Sequence, residues 1–146
     1  MRTAEDWLAE YGLSHQNRTN QIIHKICVPA ITWSLLAMLW CIPMPQAVSD
    51  HFYINAATVF MAVCLAFYIS LKNAKVMIVA FFTLIPIFIS LIFLDKTPGL
   101  FYVALSVFVV AWIGQFIGHK IEGKKPSFFK DIQFLLIGPL WVFLGK

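Results

Sequence analysis

The stretch ICVPAITWSLLAMLWCIPMPQAVS, residues 26–49, decides the fold, because its 24 residues include no Asp, Glu, Lys or Arg. About 20 helical residues cross a hydrocarbon core roughly 30 Å thick, so this stretch is long enough to span a bilayer. Three further uncharged stretches follow it along the chain, at 51–71, 76–94 and 97–119. The sequence therefore predicts four transmembrane helices, at about 24–42, 53–71, 76–94 and 99–119.

The composition of the whole chain favours the same class of protein. Of its 146 residues, 60% are hydrophobic and 12% are charged, and the mean hydropathy is +0.80. Soluble domains are about a quarter charged, so this is the composition of an integral membrane protein. The first apolar run follows a polar N-terminal segment and has no small-residue cleavage pattern, which argues against a removed signal peptide. We expect residues 1–146 to form a single all-α polytopic membrane helix bundle.

Two shorter helices are predicted outside the four spans. Thr3 is placed to cap a short N-terminal helix that ends near Gly12 and lies on the membrane surface. Near the other end, residues 132–145 are uncharged but too few to span comfortably. An interfacial or re-entrant helix is therefore expected there, with Ser127 as its N-cap.

The distribution of Lys and Arg predicts the orientation in the membrane. With four spans, nine of these residues fall on the side of the N-terminus, and Lys96 falls on the opposite side. Lys and Arg concentrate in cytoplasmic loops, so both termini are expected to be cytoplasmic. The membrane would be the bacterial inner membrane, or the endoplasmic reticulum in a eukaryote.

This orientation also sorts the four histidines. His15 and His24 precede the first span and His119 ends the fourth, so all three are predicted at the cytoplasmic interface. His51 follows the first span and is predicted on the far face, about one bilayer thickness away.

The end of the fourth predicted span places polar groups on one helix face. Gln115 lies four residues before His119 and Glu122 three residues after it, so the three side chains project together. Gly114 and Gly118 form a G-x-x-x-G spacing, which allows a neighbouring helix to approach closely. If that neighbour is the first span, the two helices bring His119 close to the N-terminal histidines.

The N-terminal polar segment reads HQNRTNQIIH, residues 15–24. Asn20 and His24 are four residues apart and share a helix face. His15 and His24 are nine residues apart, which on one straight helix would separate them by about 13 Å along the axis. A bend within residues 12–20 is therefore needed if both are to reach the same ion.

Each of these polar residues has a simpler explanation when taken alone. An interfacial histidine can be an anchor, Asn20 and Gln115 can bridge helices, and Glu122 can pair with a lysine at a helix end. Three histidines and a carboxylate on one side exceed what anchoring needs, and imidazole suits Zn, Cu and Fe. The pattern predicts a metal site and leaves the metal open.

Three classes of function can be compared for a membrane protein with this pattern. A membrane zinc-dependent lipid hydrolase would use the same histidines, with Glu122 as the general base. A non-catalytic membrane structural protein would be indifferent to their replacement. A transporter is disfavoured, because the predicted spans hold no charged residue at mid-membrane depth.

The same residues resemble a known family, the membrane 2-hydroxy fatty acid dioxygenases, which include a fungal enzyme of phytosphingosine α-oxidation and bacterial homologues. The resemblance begins with H-x4-N-x3-H at His15, Asn20 and His24. It continues in collinear order at Pro29, Ser34, Trp112, Gln115, Gly118, His119, Glu122, Pro126 and Gly138-Pro139. Ile121 and Ser127 depart from the family pattern, in which an aromatic residue and an alanine are usual.

The resemblance implies an Fe(II)-dependent α-oxidation, in which a 2-hydroxy fatty acid and O2 give a fatty acid one carbon shorter. His15, His24 and His119 would be the metal ligands and, together with Glu122, the catalytic residues. The implied partners are the hydroxy acid, O2 and membrane lipid; nucleic acid is not expected, and a homo-oligomer stays open.

Two polar side chains are implied to support the metal ligands without binding the ion themselves. These residues are Asn20 and Gln115. Their hydrogen bonds would orient the imidazoles, an effect typically worth about 10–100-fold in metal affinity or activity.

The predicted topology is tested by labelling single cysteines from outside the cell, in a variant that lacks the three natural cysteines. A cysteine at position 96 should react with a membrane-impermeant maleimide, because Lys96 lies opposite the main group of positive charges. A cysteine at position 122 should react only after the membrane is permeabilised. The reverse pattern would contradict the orientation.

Overall fold

The computed structural model describes residues 2–51, 53–124 and 136–144, and over these ranges the protein is all-helical, without a strand. The seven helices, in chain order, are α1 Ala4–Leu13, α2 Arg18–Trp40, α3 Gln46–Ser49, α4 Ala56–Ser70, α5 Ala74–Phe93, α6 Leu100–Glu122 and α7 Ile137–Leu144. The predicted all-α membrane class is confirmed.

Three of the described helices are long and apolar enough to cross a membrane: α2, α5 and α6, with 23, 20 and 23 residues. The helix predicted at 53–71 is present as α4, but it has only 15 residues. At 1.5 Å per residue it is about 22 Å long, which is short of a hydrocarbon core of roughly 30 Å. Its start is delayed to Ala56 because the Asn55 side chain accepts a hydrogen bond from the Thr58 amide and caps the helix there.

The central helix α2 begins six residues before the predicted start of the first span. The Asn17 side chain caps it by accepting hydrogen bonds from the amides of Thr19 and Asn20. Hydrophobicity alone could not mark this start, because the first two turns are polar. His24 therefore lies in the second turn of a continuous helix.

Helix α2 is the hub of the bundle, in contact with α4, α5, α6 and α7. Its most extensive contact is with α6, and two glycines of α6 face it. A Cβ added to Gly114 would lie 2.6 Å from the Cys27 sulfur, and one added to Gly118 would lie 3.0 Å from Cε1 of His24. The close approach predicted from the G-x-x-x-G spacing is confirmed, with the first span as the neighbour.

Helix α1 begins at the predicted cap. The Thr3 hydroxyl accepts a hydrogen bond from the Asp6 amide, and the Asp6 carboxylate accepts one from the Thr3 amide. The hydrogen bond from the Thr3 amide holds the pKa of Asp6 below its usual value. The helix passes Gly12 by one residue and then gives way to the bend that the histidine spacing requires.

The last helix, α7, has eight residues and is about 12 Å long, which is too short to span the membrane. It packs against α1, α2 and α5 and buries five consecutive residues, Ile137, Gly138, Pro139, Leu140 and Trp141. The first five residues of the helix are thus covered by protein, as a re-entrant segment requires. Ser127 and the start predicted at 132 lie outside the described residues.

Candidate metal centre

Three different elements place the three histidines at one end of the bundle. His15 lies in the bend between α1 and α2, His24 in the second turn of α2, and His119 in the last turn of α6. Their relative exposures are 3%, 1% and 6%, so all three side chains are buried. Burial of three titratable rings is unusual for residues that serve only as interfacial anchors.

The three imidazoles contact one another. The ring centroids of His15 and His24 are 4.2 Å apart, those of His24 and His119 are 5.1 Å apart, and those of His15 and His119 are 6.0 Å apart. His51 is exposed at the other end of α2, beside Trp40. Trp40 follows His24 by sixteen residues, or about 24 Å of helix. The structure therefore groups the three histidines expected from the topology and leaves the fourth apart.

Backbone carbonyls orient two of the rings. Nδ1 of His15 lies 2.6 Å from the Tyr11 carbonyl oxygen, and Nδ1 of His24 lies 3.0 Å from the Asn20 carbonyl oxygen. A carbonyl can only accept, so these contacts require each Nδ1 to donate, and in the neutral tautomer that does so Nε2 is the nitrogen able to bind a metal. Metal-binding histidines are held in this way, by a hydrogen bond from the ring nitrogen that does not bind the metal.

Two aromatic side chains enclose His15. The Tyr11 ring stacks on it with centroids 4.2 Å apart and planes 3° apart, and the Trp141 ring lies 4.9 Å away. Neither residue was predicted from the sequence to belong to the site. Tyr11 precedes His15 by four residues, and this helical spacing was the available signal. For Trp141 there was no local signal, because its position depends on how α7 folds back.

Glu122 joins the end of α6 to the start of α2. Its Oε1 accepts a hydrogen bond of 2.8 Å from the Gln16 amide. Its Oε2 accepts hydrogen bonds of 2.9 Å from the Asn17 amide and from Nδ2 of Asn20. The resemblance implied that Glu122 is a catalytic residue. In the structure both of its oxygens accept hydrogen bonds from the N-terminal segment of α2, where a negative charge is also favourable.

The two residues predicted to support the ligands are both buried. Asn20 has a clear connection to the histidines, because its carbonyl oxygen orients His24 and its side chain binds Glu122 and the Ser14 carbonyl. Gln115 lies one helical turn before His119 on the buried face of α6. The supporting role of Gln115 stays a prediction.

The donor set fits a transition-metal ion. Imidazole nitrogens suit Fe, Zn and Cu, and nitrogens bound at about 2.1 Å to one ion place their ring centroids roughly 5 Å apart. The measured centroid distances lie on both sides of that value. Within the described part of the chain, no three His, Cys, Asp or Glu side chains are already arranged to hold an ion. The three imidazole rings are close together, but they are not arranged around one common point.

The close approach of α6 to α2 gives a testable consequence at Gly118. In Gly118→Ala, the added Cβ would overlap the Asn20 side chain and press on the His24 ring. We expect an overpacking cost of about 1–3 kcal/mol and a matching loss of metal affinity. Thermal unfolding and metal content of the purified protein measure both.

The control for Gly118→Ala is Gly12→Ala, because a Cβ at Gly12 would make only ordinary contact, 3.8 Å from Nε1 of Trp141. Both variants make the same chemical change at a helical glycine. If the two variants have equal thermal stability and equal metal content, the close approach of α2 and α6 is not required for metal binding.

Comparison with known proteins agrees with the motifs. The model of the family described as 2-hydroxy-palmitic acid dioxygenase Mpo1-like matches residues 1–145. The 2-hydroxy-palmitic acid dioxygenase MPO1 of Saccharomyces cerevisiae is 28% identical over 138 residues, covering 92% of this chain and 74% of that protein. No solved structure gives a significant match. Because the family model covers nearly the whole chain, the protein belongs to the 2-hydroxy-palmitic acid dioxygenase Mpo1-like family.

Proposed function

We propose that this protein is a dioxygenase that oxidises 2-hydroxy fatty acids with O2, using Fe(II) held by His15, His24 and His119. The product would be the fatty acid one carbon shorter, with the carboxyl carbon lost. Family membership supports the substrate class. The observation that carries the proposal is the group of three buried imidazoles, with all ring centroids within 6.0 Å of one another.

The reaction, rather than the donor set, favours iron. Three nitrogen ligands leave coordination positions open, as they do in both catalytic zinc sites and non-haem iron sites. When bound, Fe(II) would supply the activation of O2 beside a hydroxy acid. The chain itself contributes the fixed orientation of His15 and His24 and the aromatic enclosure by Tyr11 and Trp141.

The position of the site suits a lipid substrate. The histidines lie where α2 begins and α6 ends, and apolar helix surface extends away from them. An alkyl chain prefers lipid by about 0.8 kcal/mol per buried methylene, so the substrate can offer its head group without leaving the bilayer. Exposed Lys120 would attract the carboxylate of that head group, over a range limited by salt to roughly 8–10 Å.

The role of Glu122 favours the oxygenase over a zinc-dependent hydrolase. A hydrolase of this kind would need a general base beside the metal-bound water, and Glu122 was the candidate. Its two oxygens accept three hydrogen bonds from Gln16, Asn17 and Asn20. A carboxylate committed to these donors is poorly placed to take a proton, so its proposed role is to position the start of α2.

The proposal predicts that His15→Ala, His24→Ala and His119→Ala each lose bound iron and activity while the bundle stays folded. Purified wild-type protein, loaded with Fe(II) without O2 and then aerated with 2-hydroxypalmitic acid, should yield the acid one carbon shorter by mass spectrometry. Iron content and circular dichroism are measured on the same samples.

His51→Ala is the matched control for the three histidine variants, because His51 is exposed at the far end of the bundle. It should keep wild-type iron content and turnover. A histidine variant that retains full iron occupancy would remove that residue from the proposed ligand set. Zinc in place of iron, together with lipid hydrolysis, would instead support the hydrolase.

A second prediction separates positioning by Glu122 from metal ligation. In Glu122→Gln, one carboxylate oxygen becomes an NH2 group that faces a donor of α2, and an unmet hydrogen bond there costs about 1–3 kcal/mol. We expect lower thermal stability and a proportionate fall in iron affinity. Glu10→Gln, which changes only an exposed ion pair with Arg2, should be nearly neutral. Loss of iron from Glu122→Gln at unchanged stability would identify Glu122 as a ligand.

A further inference from the structure

A small cavity lies in the interior of the bundle, between α2, α4, α5 and α7. Its volume is about 20 Å³, and Leu36, Cys64, Ala80, Leu84 and Leu140 are among the residues that line it. By this measure a cavity above roughly 10–15 Å³ can hold one molecule of the size of water. The cavity therefore has room for a very small ligand.

The three hydroxyl groups in the cavity wall donate their hydrogen bonds to backbone carbonyls. Thr32 donates to the Val28 carbonyl at 2.9 Å, and Thr83 donates to the Val79 carbonyl at 2.8 Å. Tyr68 donates to the carbonyl of Leu136, also at 2.8 Å. Water needs two to four polar partners in a buried site, and apolar cavities stay dry. This cavity is therefore suited to an apolar ligand.

The cavity and the histidines are connected through α2 and α7. Thr32, in its wall, follows His24 by eight residues, which is about 12 Å of helix. On α7, Leu140 lines the cavity, and the next residue, Trp141, lies against the His15 ring. One short helix thus contacts both the cavity and the candidate metal centre.

We propose that this cavity binds O2 and holds it inside the bundle, about 12 Å along α2 from His24. The inference rests on the proposed function, which makes O2 a substrate. O2 is a small apolar molecule, and it matches both the small volume and the apolar lining of the cavity. The alkyl chain of a fatty acid is far larger than the cavity, and it has the surrounding lipid available.

Xenon is the probe for the cavity itself, because this apolar gas enters dry apolar cavities. The full-length protein in nanodiscs, with labelled leucine methyl groups, is titrated with dissolved xenon and followed by NMR. We expect a saturable shift of the Leu36, Leu84 and Leu140 methyl signals. The shift should be lost in Cys64→Leu, whose larger side chain fills the space.

Steady-state kinetics then test whether the cavity serves the reaction. Cys64→Leu and Ala80→Val fill the space from two different helices, so a folding defect in one does not remove the test. Each should raise the KM for O2 severalfold and leave kcat and the KM for 2-hydroxypalmitic acid unchanged. Ala66→Leu is the matched control, because Ala66 also lies on α4 but is exposed at the surface of the bundle.

The possible outcomes separate this inference from the proposed function. An unsaturable xenon response, or an unchanged KM for O2 in both filled variants, overturns the O2 site while wild-type turnover still supports the dioxygenase. A preference for shorter hydroxy acids at unchanged KM for O2 assigns the cavity to the alkyl chain and also overturns the inference. If wild-type protein consumes no O2 with any hydroxy acid, the proposed function fails, and the assignment to O2 fails with it.

Discussion

The hydrogen bonds between the Glu122 carboxylate and the start of α2 hold the candidate site together. They connect residues more than 100 positions apart in sequence, and they fix the polar end of α6 against the bend that carries His15. A charged acceptor with three donors is among the stronger polar contacts available to a protein. Without it, the α2–α6 pair would be held at this end mainly by packing, which fixes register less strictly than directed hydrogen bonds.

The hydrogen bonds of Glu122 can form only because α2 and α6 lie close together. Gly118 leaves no side chain between α6 and the Asn20–His24 face of α2. The Asn20 side chain donates to Glu122 of α6, and the Asn20 carbonyl oxygen orients His24 of α2. The position of one imidazole is thereby coupled to the packing of two membrane helices. A change in helix spacing is therefore expected to affect metal binding before it unfolds the bundle.

The sequence predicted the parts of this arrangement that depend on local pattern and topology. Uncharged runs located the long helices, and the distribution of Lys and Arg grouped the three histidines. Helix α4 begins three residues after the start of its predicted span and α2 begins six residues before the start of its own, because the side chains of Asn55 and Asn17 cap the helices there. The role of Glu122 and the placement of Trp141 could not be predicted, because both depend on contacts between distant segments. The identity of the metal stays a prediction, because the same imidazoles suit iron and zinc.

The bend at residues 14–17 explains why the N-terminal segment belongs to the site. One straight helix would hold His15 and His24 about 13 Å apart along its axis, whereas the bend brings their rings to 4.2 Å. A bend of this kind exposes backbone groups that lipid cannot satisfy. Here the Gln16 and Asn17 amides donate to Glu122, and the Ser14 carbonyl accepts from Asn20. Asn20 thus satisfies a backbone group of the bend with its side chain and orients His24 with its own carbonyl oxygen, so the turn of the chain and the position of this histidine depend on the same short segment.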